Sequence, residues 1–259
     1  LAFDDADRDG IADARESALA ARYAPVVLLA DSDRYRPASV DWLLARLPSK
    51  AGTSKQRLAA SLGKGGDAFS PEVRQGSRDP RDWVTYLHAY LRSDGGINLQ
   101  YWFFYPFNDG LVLFDHEGDW ERVTVQLDRG GDPSALLLAQ HGDTRPGARR
   151  SWSEVERLGD HPIIWSARGT HASYPDRASV PWFERVSPCA ALAGCPGPVW
   201  RTWEGGGLRN VGERDALLGP DDAFAYDGRW GGLGVWFGAR PPPHGPVHQR
   251  RSFENAGFN

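Results

Sequence analysis

The chain has 259 residues, enough for one large β domain or two modest ones, and its 41% hydrophobic and 25% charged residues are those of an ordinary globular fold. A formal net charge of −4, with the arginines scattered rather than striped, excludes the broad positive field with which a protein collects nucleic acid. No run approaches the roughly 20 apolar residues that cross a bilayer, so no transmembrane segment is expected and only peripheral membrane contact is left open.

The chain begins at Leu1 and contains no methionine, the pattern of a processed, exported protein. A secreted or cell-envelope location, in a bacterium, is the expectation. Near the start stands DADRDGIADARE, Asp5 to Glu16. Counted from Asp5, oxygen donors fall at positions one, three, five, nine and twelve: Asp5, Asp7, Asp9, Asp13 and Glu16. Gly10 sits at position six, where the loop must turn, and Ile11 at seven can offer its backbone carbonyl. That spacing wraps a hard cation in oxygens, and it resembles the calcium loops of EF-hand, dockerin and thrombospondin-type repeats. An acidic tail is the alternative, but chance rarely sets a glycine and five acids in register. A single loop points to a structural Ca²⁺ clip, because a sensor needs a paired loop.

After the loop, ARESALAARYAP predicts a short helix closed by Pro25. VVLLA follows as a buried strand, and PASVDWLLARL as a second helix with Ser39 or Asp41 near its start. Residues 49–80, rich in Gly, Ser, Lys and Arg, are expected to be irregular; GKGG lacks the spacing of a phosphate-binding loop. WVTYLHAYL, INLQYWFFYPF, WERVTVQL, SALLLAQH, PIIWSAR and GGLGVWFG are short, aromatic and β-branched, with turns between them. The predicted fold is all-β, a β-sandwich with N-terminal helical decorations and long loops. In YWFFYPFND the rings are expected to fill both faces of a central strand, with a ligand-stacking platform as the alternative. Pro106 should end that strand and release Asn108 and Asp109 into a loop. Cys189 and Cys195 flank AALAG, a spacing that suits a small loop disulfide in an exported chain.

The stretch DHEGDWERVTVQLD, Asp115 to Asp128, poses the functional question. Val123, Val125 and Leu127 alternate onto one face of a strand, and the same period puts Asp119 and Glu121 on that apolar face. Carboxylates there need a cation or hydrogen-bond donors. One solution gathers His116, Asp119, Glu121 and His171 around a divalent metal at the sandwich rim, a second cation site besides the loop. The other is a structural ion network, with Arg168 the better partner because parity places Arg122 on the opposite face. His171 follows the turn RGT and is flanked by small residues. His141 could line the same rim, His161 reads as a turn residue, and His244 and His248 as solvent-facing.

The segments RYAPVVLLADSDRYRPASVDWLL, INLQYWFFYPFND, HEGDWERVTVQL, HPIIWSARGTHASYP and GRWGG follow one another as in the VPS62-like family (vacuolar protein sorting-associated protein 62). This resemblance spans roughly Tyr23 to Phe237, so the chain reads as a single VPS62-like domain, 21–259, preceded by the calcium-loop-like segment, 1–20, which belongs to the loop spacing and not to the resemblance. HEGDWE is also similar, more weakly, to the acidic motif of necrosis-inducing (Nep1-like) proteins. Those are secreted β-sandwich toxins that hold a divalent cation and recognise sphingolipid headgroups. On that likeness Asp119 and Glu121 match the motif's acids and His116 falls near its histidine.

Neither HExxH nor GxSxG occurs, so hydrolysis would need a carboxylate or histidine as base, or a metal-activated water. His116 or His171 as base, with Asp119 and Glu121 as metal ligands or acid, is chemically sufficient. The first expectation is therefore a secreted metal-assisted hydrolase acting on a glycan, lipid headgroup or phosphoester. The alternatives are a non-enzymatic, cation-dependent glycan- or headgroup-binding module, and a structural domain in which HEGDWE is only an ion network.

Overall fold

The structure is a computed structural model and describes residues 4–110, 114–139, 149–181, 197–218, 222–234 and 239–249. Helix α1 (Asp13–Tyr23) grows directly out of the acidic loop, with Asp13 and Glu16 in its first turn and Arg22 in its last, as the helix dipole favours. Strand β1 (Val26–Leu28) follows. Helix α2 (Val40–Arg46) is capped by Ser39, whose hydroxyl accepts from the Trp42 N–H at 3.0 Å. The stretch 49–80 is more ordered than expected. It carries α3 (Ser54–Ser61), opened by a Thr53–Gln56 capping box, and α4 (Pro71–Arg74), opened by Ser70 with Pro71 in its first turn. Both start signals stand in the sequence. Neither helix has a long apolar stripe, which is why composition concealed them.

The long strands come next: β2 (Thr85–Leu91), β3 (Ile97–Asn108), β4 (His116–Leu127) and β5 (Pro133–Leu138). Shorter ones follow as β6 (Arg149–Ser151), β7 (Arg157–Leu158), β8 (His161–Ser166) and β9 (Ser173–Tyr174). The last are β10 (Val199–Arg201), β11 (Leu208–Asn210), β12 (Gly212–Glu213) and β13 (Ala216–Leu217). Among the described residues, one sheet runs β11-β2-β3-β4-β5-β6 and a second runs β10-β1-β8-β7, with β9 also on β8. The pairs β1–β8 and β11–β2 are parallel. The fold is β-rich with few helices, in mixed sheets. No strand begins at Gly231–Gly234 of the expected segment GGLGVWFG, whose residues 235–238 lie outside the described set.

The alternation in β3 and β4 divides the core in two. Tyr101, Phe103, Tyr105, Val123, Val125 and Leu127 share a cluster with Val27, Ile164 and Trp200 of the second sheet, and with Ile11, Ala20 and Tyr23 from the N-terminal segment. Trp102, Phe104 and Trp120 join the other cluster, with α2, α3 and Trp230. The aromatic run of β3 thus fills both faces of a central strand. That strand does not stop at Pro106. Pairing runs Tyr105–Asp119 and then Phe107–Glu117, skipping Pro106 and Gly118. A residue without an N–H is tolerated at such an irregularity.

Candidate functional site

Gly118 sets the geometry at the head of β4. Its φ is +61°, and a Cβ there would lie 1.9 Å from the Trp230 carbonyl oxygen. Only glycine fits both conditions. After this kink β4 runs regularly, with Asp119 opposite Tyr105 and Glu121 opposite Phe103, so both acids face the cluster that the alternation predicts.

Asp119 meets a histidine. His171 Nδ1 donates to Asp119 Oδ2 at 3.0 Å, while Nε2 faces Asp33 Oδ2 at 3.5 Å. The imidazole lies flat on Tyr105, ring centroids 3.8 Å apart and planes 4° apart. All four are buried; His171 is 2% exposed. Asp33 is fixed in turn by N–H donors from Tyr35 at 2.9 Å and Gly169 at 2.7 Å. The turn that delivers His171 is tight: its N–H donates to the Ala167 carbonyl at 3.1 Å, the Ala167 N–H donates to the Ala172 carbonyl at 3.0 Å, and His171 has φ +55°.

Burial alone would depress the His171 pKa, but its hydrogen bond to Asp119 and the closeness of the Asp33 and Asp119 charges overcome this and raise it to about 9. Burial likewise opposes ionisation of Asp33, yet His171 and the two backbone donors hold its pKa below the usual value. The result at neutral pH is an imidazolium between two carboxylates. Burial pushes the Tyr105 phenol well up; its bond to Ser166 offsets this only in part, and the nearby Glu121, Asp33 and Asp119 charges add to it.

Other expected residues are placed differently. His116 is half-buried and turns its Nδ1 to the carbonyls of Glu117 and Gly118, at 3.3 and 3.2 Å, along its own strand. Glu121 is half-buried on the Asp119 face. Arg122 is on the opposite face as predicted, its guanidinium 5.2 Å from the Trp102 ring. Asp119 pairs with His171, and Arg168 lines a cleft beside Asp33. His161 is no loose turn residue: it begins β8, donates to the Ala24 carbonyl at 2.8 Å and stacks on Trp203. His248 is half-buried, and His244 donates to the Asp227 carbonyl. His141, Cys189 and Cys195 lie outside the described residues.

Two buried acids escaped the sequence reading. Asp33 sits in the loop DSDRYR, which has no periodicity to betray an inward side chain. Glu117 is 0% exposed and accepts from the N–H groups of Ala68, Phe69 and Gly232 and from the Arg74 guanidinium, at 2.8–3.0 Å. Arg74 also pairs with Asp67 at 2.7 Å. Glu117 therefore ties the glycine-rich stretch around residue 66 and the GRWGG segment to the head of β4.

The acidic loop closes on itself as its spacing implies. Gly10 turns at φ +87°, Asp5 accepts from the N–H groups of Asp9 and Gly10, Asp9 from Ile11, and Asp13 from Ala6. Ligand atoms of Asp5, Asp7 and Asp13, and of Asp7, Asp9 and Glu16, lie within 4.8 Å of one another and could hold a metal ion. Asp7 is 1% exposed and neither of its carboxylate oxygens has a partner; Asp9 Oδ2 and Glu16 Oε1 are also unpartnered. Burial first and mutual repulsion second raise the pKa of Asp9 to about 7 and of Glu16 to about 8. Buried carboxylates that lack donors call for a cation.

No established protein-family profile matches the chain. In sequence it is similar to two Saccharomyces cerevisiae proteins. It is 28% identical over 176 residues to the vacuolar protein sorting-associated protein TDA6, covering 54% of this chain and 36% of that one. It is 30% identical over 105 residues to vacuolar protein sorting-associated protein 62, covering 34% and 22%. The chain thus spans about a third or less of the length of these relatives. Because both are yeast proteins, the resemblance is not confined to bacteria. In structure it is similar to NLPPya in complex with mannosamine, with a TM-score of 0.52, 16% identity, and coverage of 100% of this chain and 96% of that one. A structure described as a toxin fold for microbial attack and plant defense gives a TM-score of 0.50 at 16% identity, with 99% of each chain covered. Both resemblances read from the motifs are therefore present, one in sequence and one in fold. Among the described residues no helix is long and apolar enough to cross a membrane.

Proposed function

We propose that this chain is a secreted, toxin-like module that binds a sugar or a lipid headgroup at the cleft beside Asp33, with its two main sheets packed as a β-sandwich. The observation that carries the reading is the buried Asp119–His171–Asp33 row. Asp33, at its outer end, lines a cleft of about 230 Å³ together with Ser32, Arg34, Tyr35, Asp109 and Arg168. That volume suits one sugar ring, and the mixture of acids and arginines suits hydroxyl, amine or phosphate groups. The complexes of NLPPya with mannosamine and glucosamine lend support through the shared fold. Both His171 ring nitrogens face carboxylates, so the imidazole is not a free general base. This weighs for binding over the hydrolase that the sequence reading placed first.

Residues 21–259 act as one unit in this reading, and residues 1–20 clip onto it through Ca²⁺ bound by Asp5, Asp7, Asp9, Asp13, Glu16 and the Ile11 carbonyl. The unpartnered, buried Asp7 supports that ion. A second divalent cation at the rim has Asp119 and Glu121 as its carboxylates. Asp119 and Asp33 address opposite nitrogens of His171, so such an ion sits on the Glu121 side of the row.

Calorimetry with glucosamine, mannosamine and glycolipid or phosphoinositide vesicles, with and without EDTA, tests the main reading, paired with turnover assays on glycosides and phosphoesters. Binding without turnover, lost in Asp33→Asn, is expected. Turnover abolished by Asp119→Asn would reinstate the hydrolase, and silence across the panel would sink both. For the metals, Asp5→Ala should remove one Ca²⁺ equivalent; uptake remaining in that variant reports the rim.

A further inference from the structure

The segment from Leu208 to Leu217 is held to the fold by little ladder of its own. β11 pairs with β2 over three residues, and β12 and β13 pair with each other over two. Arg209 pairs with Asp41 at 2.7 Å and Val211 is buried in the core, and a further attachment is the acidic loop, nearly two hundred residues earlier in the chain. Asn210 Nδ2 donates to Glu16 Oε2 at 2.7 Å, while Asn210 Oδ1 accepts from the Gly212 N–H at 2.9 Å. The amide is thereby fixed from both ends. Gly212, at φ +71°, lies so close that a Cβ on it would be 3.0 Å from the Asp7 Cβ. Glu213 then hydrogen-bonds the buried His88 at 2.9 Å and borders, with Asp7, Asp9 and Tyr90, a cleft of about 490 Å³.

Glu16 is the last donor of the loop. Oε2 is held by Asn210 and Oε1 is unpartnered, and a carboxylate oxygen of Glu16 lies within 4.8 Å of the Asp7 and Asp9 ligand atoms. Outer partners of this kind orient metal ligands, and their loss typically weakens affinity 10- to 100-fold. We propose that Asn210 is a positioning residue for a divalent-cation site in the N-terminal loop, and that the bound ion clasps residues 208–217 onto the edge of β2. The inference rests on the Ca²⁺ reading of the loop. Linkage makes the coupling reciprocal: an ion that binds better when the segment is docked must hold the segment down by the same factor.

The test uses the full chain with CaCl2, and MgCl2 as control. Calorimetry should give Asn210→Ala the wild-type stoichiometry and a Kd at least about tenfold weaker. Hydrogen exchange on the wild type is the second measurement. The amides of Val211 and Leu218, which donate to the Leu87 and Val211 carbonyls, should exchange more slowly with Ca²⁺. That protection should disappear in Asn210→Ala while the amides of β3 and β4 are unaffected. Calcium uptake by the wild type without protection of 208–217, or an Asn210→Ala Kd equal to wild type, overturns the clasp and leaves the loop site standing. Absence of calcium uptake by the wild type overturns both.

Discussion

His171 adopts a left-handed φ of +55°, which costs a residue with a Cβ about 1–3 kcal/mol. The two carboxylates and the Tyr105 ring hold it there, and the arrangement predicts a pH dependence. A histidine whose folded pKa is raised contributes stability below its unfolded value near 6.5 and loses it as pH climbs through the folded value of about 9. Without metal, the protein should lose on the order of 3 kcal/mol between about pH 7 and 10 from this group. Thermal melts across that range should show the loss in the wild type and its near absence in His171→Gln. Substitutions separate the two acids. Asp119→Asn removes one partner of a buried ion pair and should cost about 3–5 kcal/mol in urea unfolding. Glu121→Gln, half-buried, should cost under about 1 kcal/mol, yet weaken divalent-cation binding at the rim at least about tenfold, or roughly 1.4 kcal/mol. A Glu121→Gln protein that melts early and binds normally would assign Glu121 to structure alone.

At the scale of the element, β4 starts irregularly, and Glu117 and Gly118 account for that. Glu117→Ala leaves three backbone N–H groups without their acceptor and the Arg74 guanidinium with Asp67 in place of a buried carboxylate, so destabilisation of about 3–5 kcal/mol is expected. The damage should spread to residues 66–69 and 228–232, where amide exchange would report it. Exchange changes confined to β4 would contradict this account. These particulars mark what alternation reveals. Val123, Val125 and Leu127 were enough to place Asp119 and Glu121 inward, because period two continues through a regular strand. The same count fails for His116, which lies across the Gly118 kink, and a φ of +61° leaves no periodic trace. Asp33 was illegible for another reason. Its role depends on the Gly169 N–H and His171, contacts made only by folding the 31–36 loop against a turn distant in sequence.

Across the whole molecule, the N-terminal loop was the most legible feature, since oxygen donors at fixed intervals constrain a loop without help from the rest of the fold. Its links to Asn210 and Gly212 were not legible, because neither residue belongs to a motif. The loop also yields a prediction on proton release. In the metal-free protein burial and crowding raise Asp9 to about 7 and Glu16 to about 8. The folded state then holds more protons than the unfolded chain between about pH 4 and 8. For raised acids the sign is fixed: stability is greatest below the unfolded values and falls as pH rises through the folded ones. Ca²⁺ reverses this by replacing protons at the carboxylates it binds. Calcium uptake at pH 7 should therefore release protons, making the calorimetric enthalpy vary with the ionisation enthalpy of the buffer. At pH 9, where both acids are already ionised, that variation should vanish and affinity should be higher. In melts, added Ca²⁺ should raise Tm more at pH 8 than at pH 5. A buffer-independent enthalpy at pH 7, accompanied by full binding, would show that the acids are ionised before the ion arrives and that their burial is relieved in some other way.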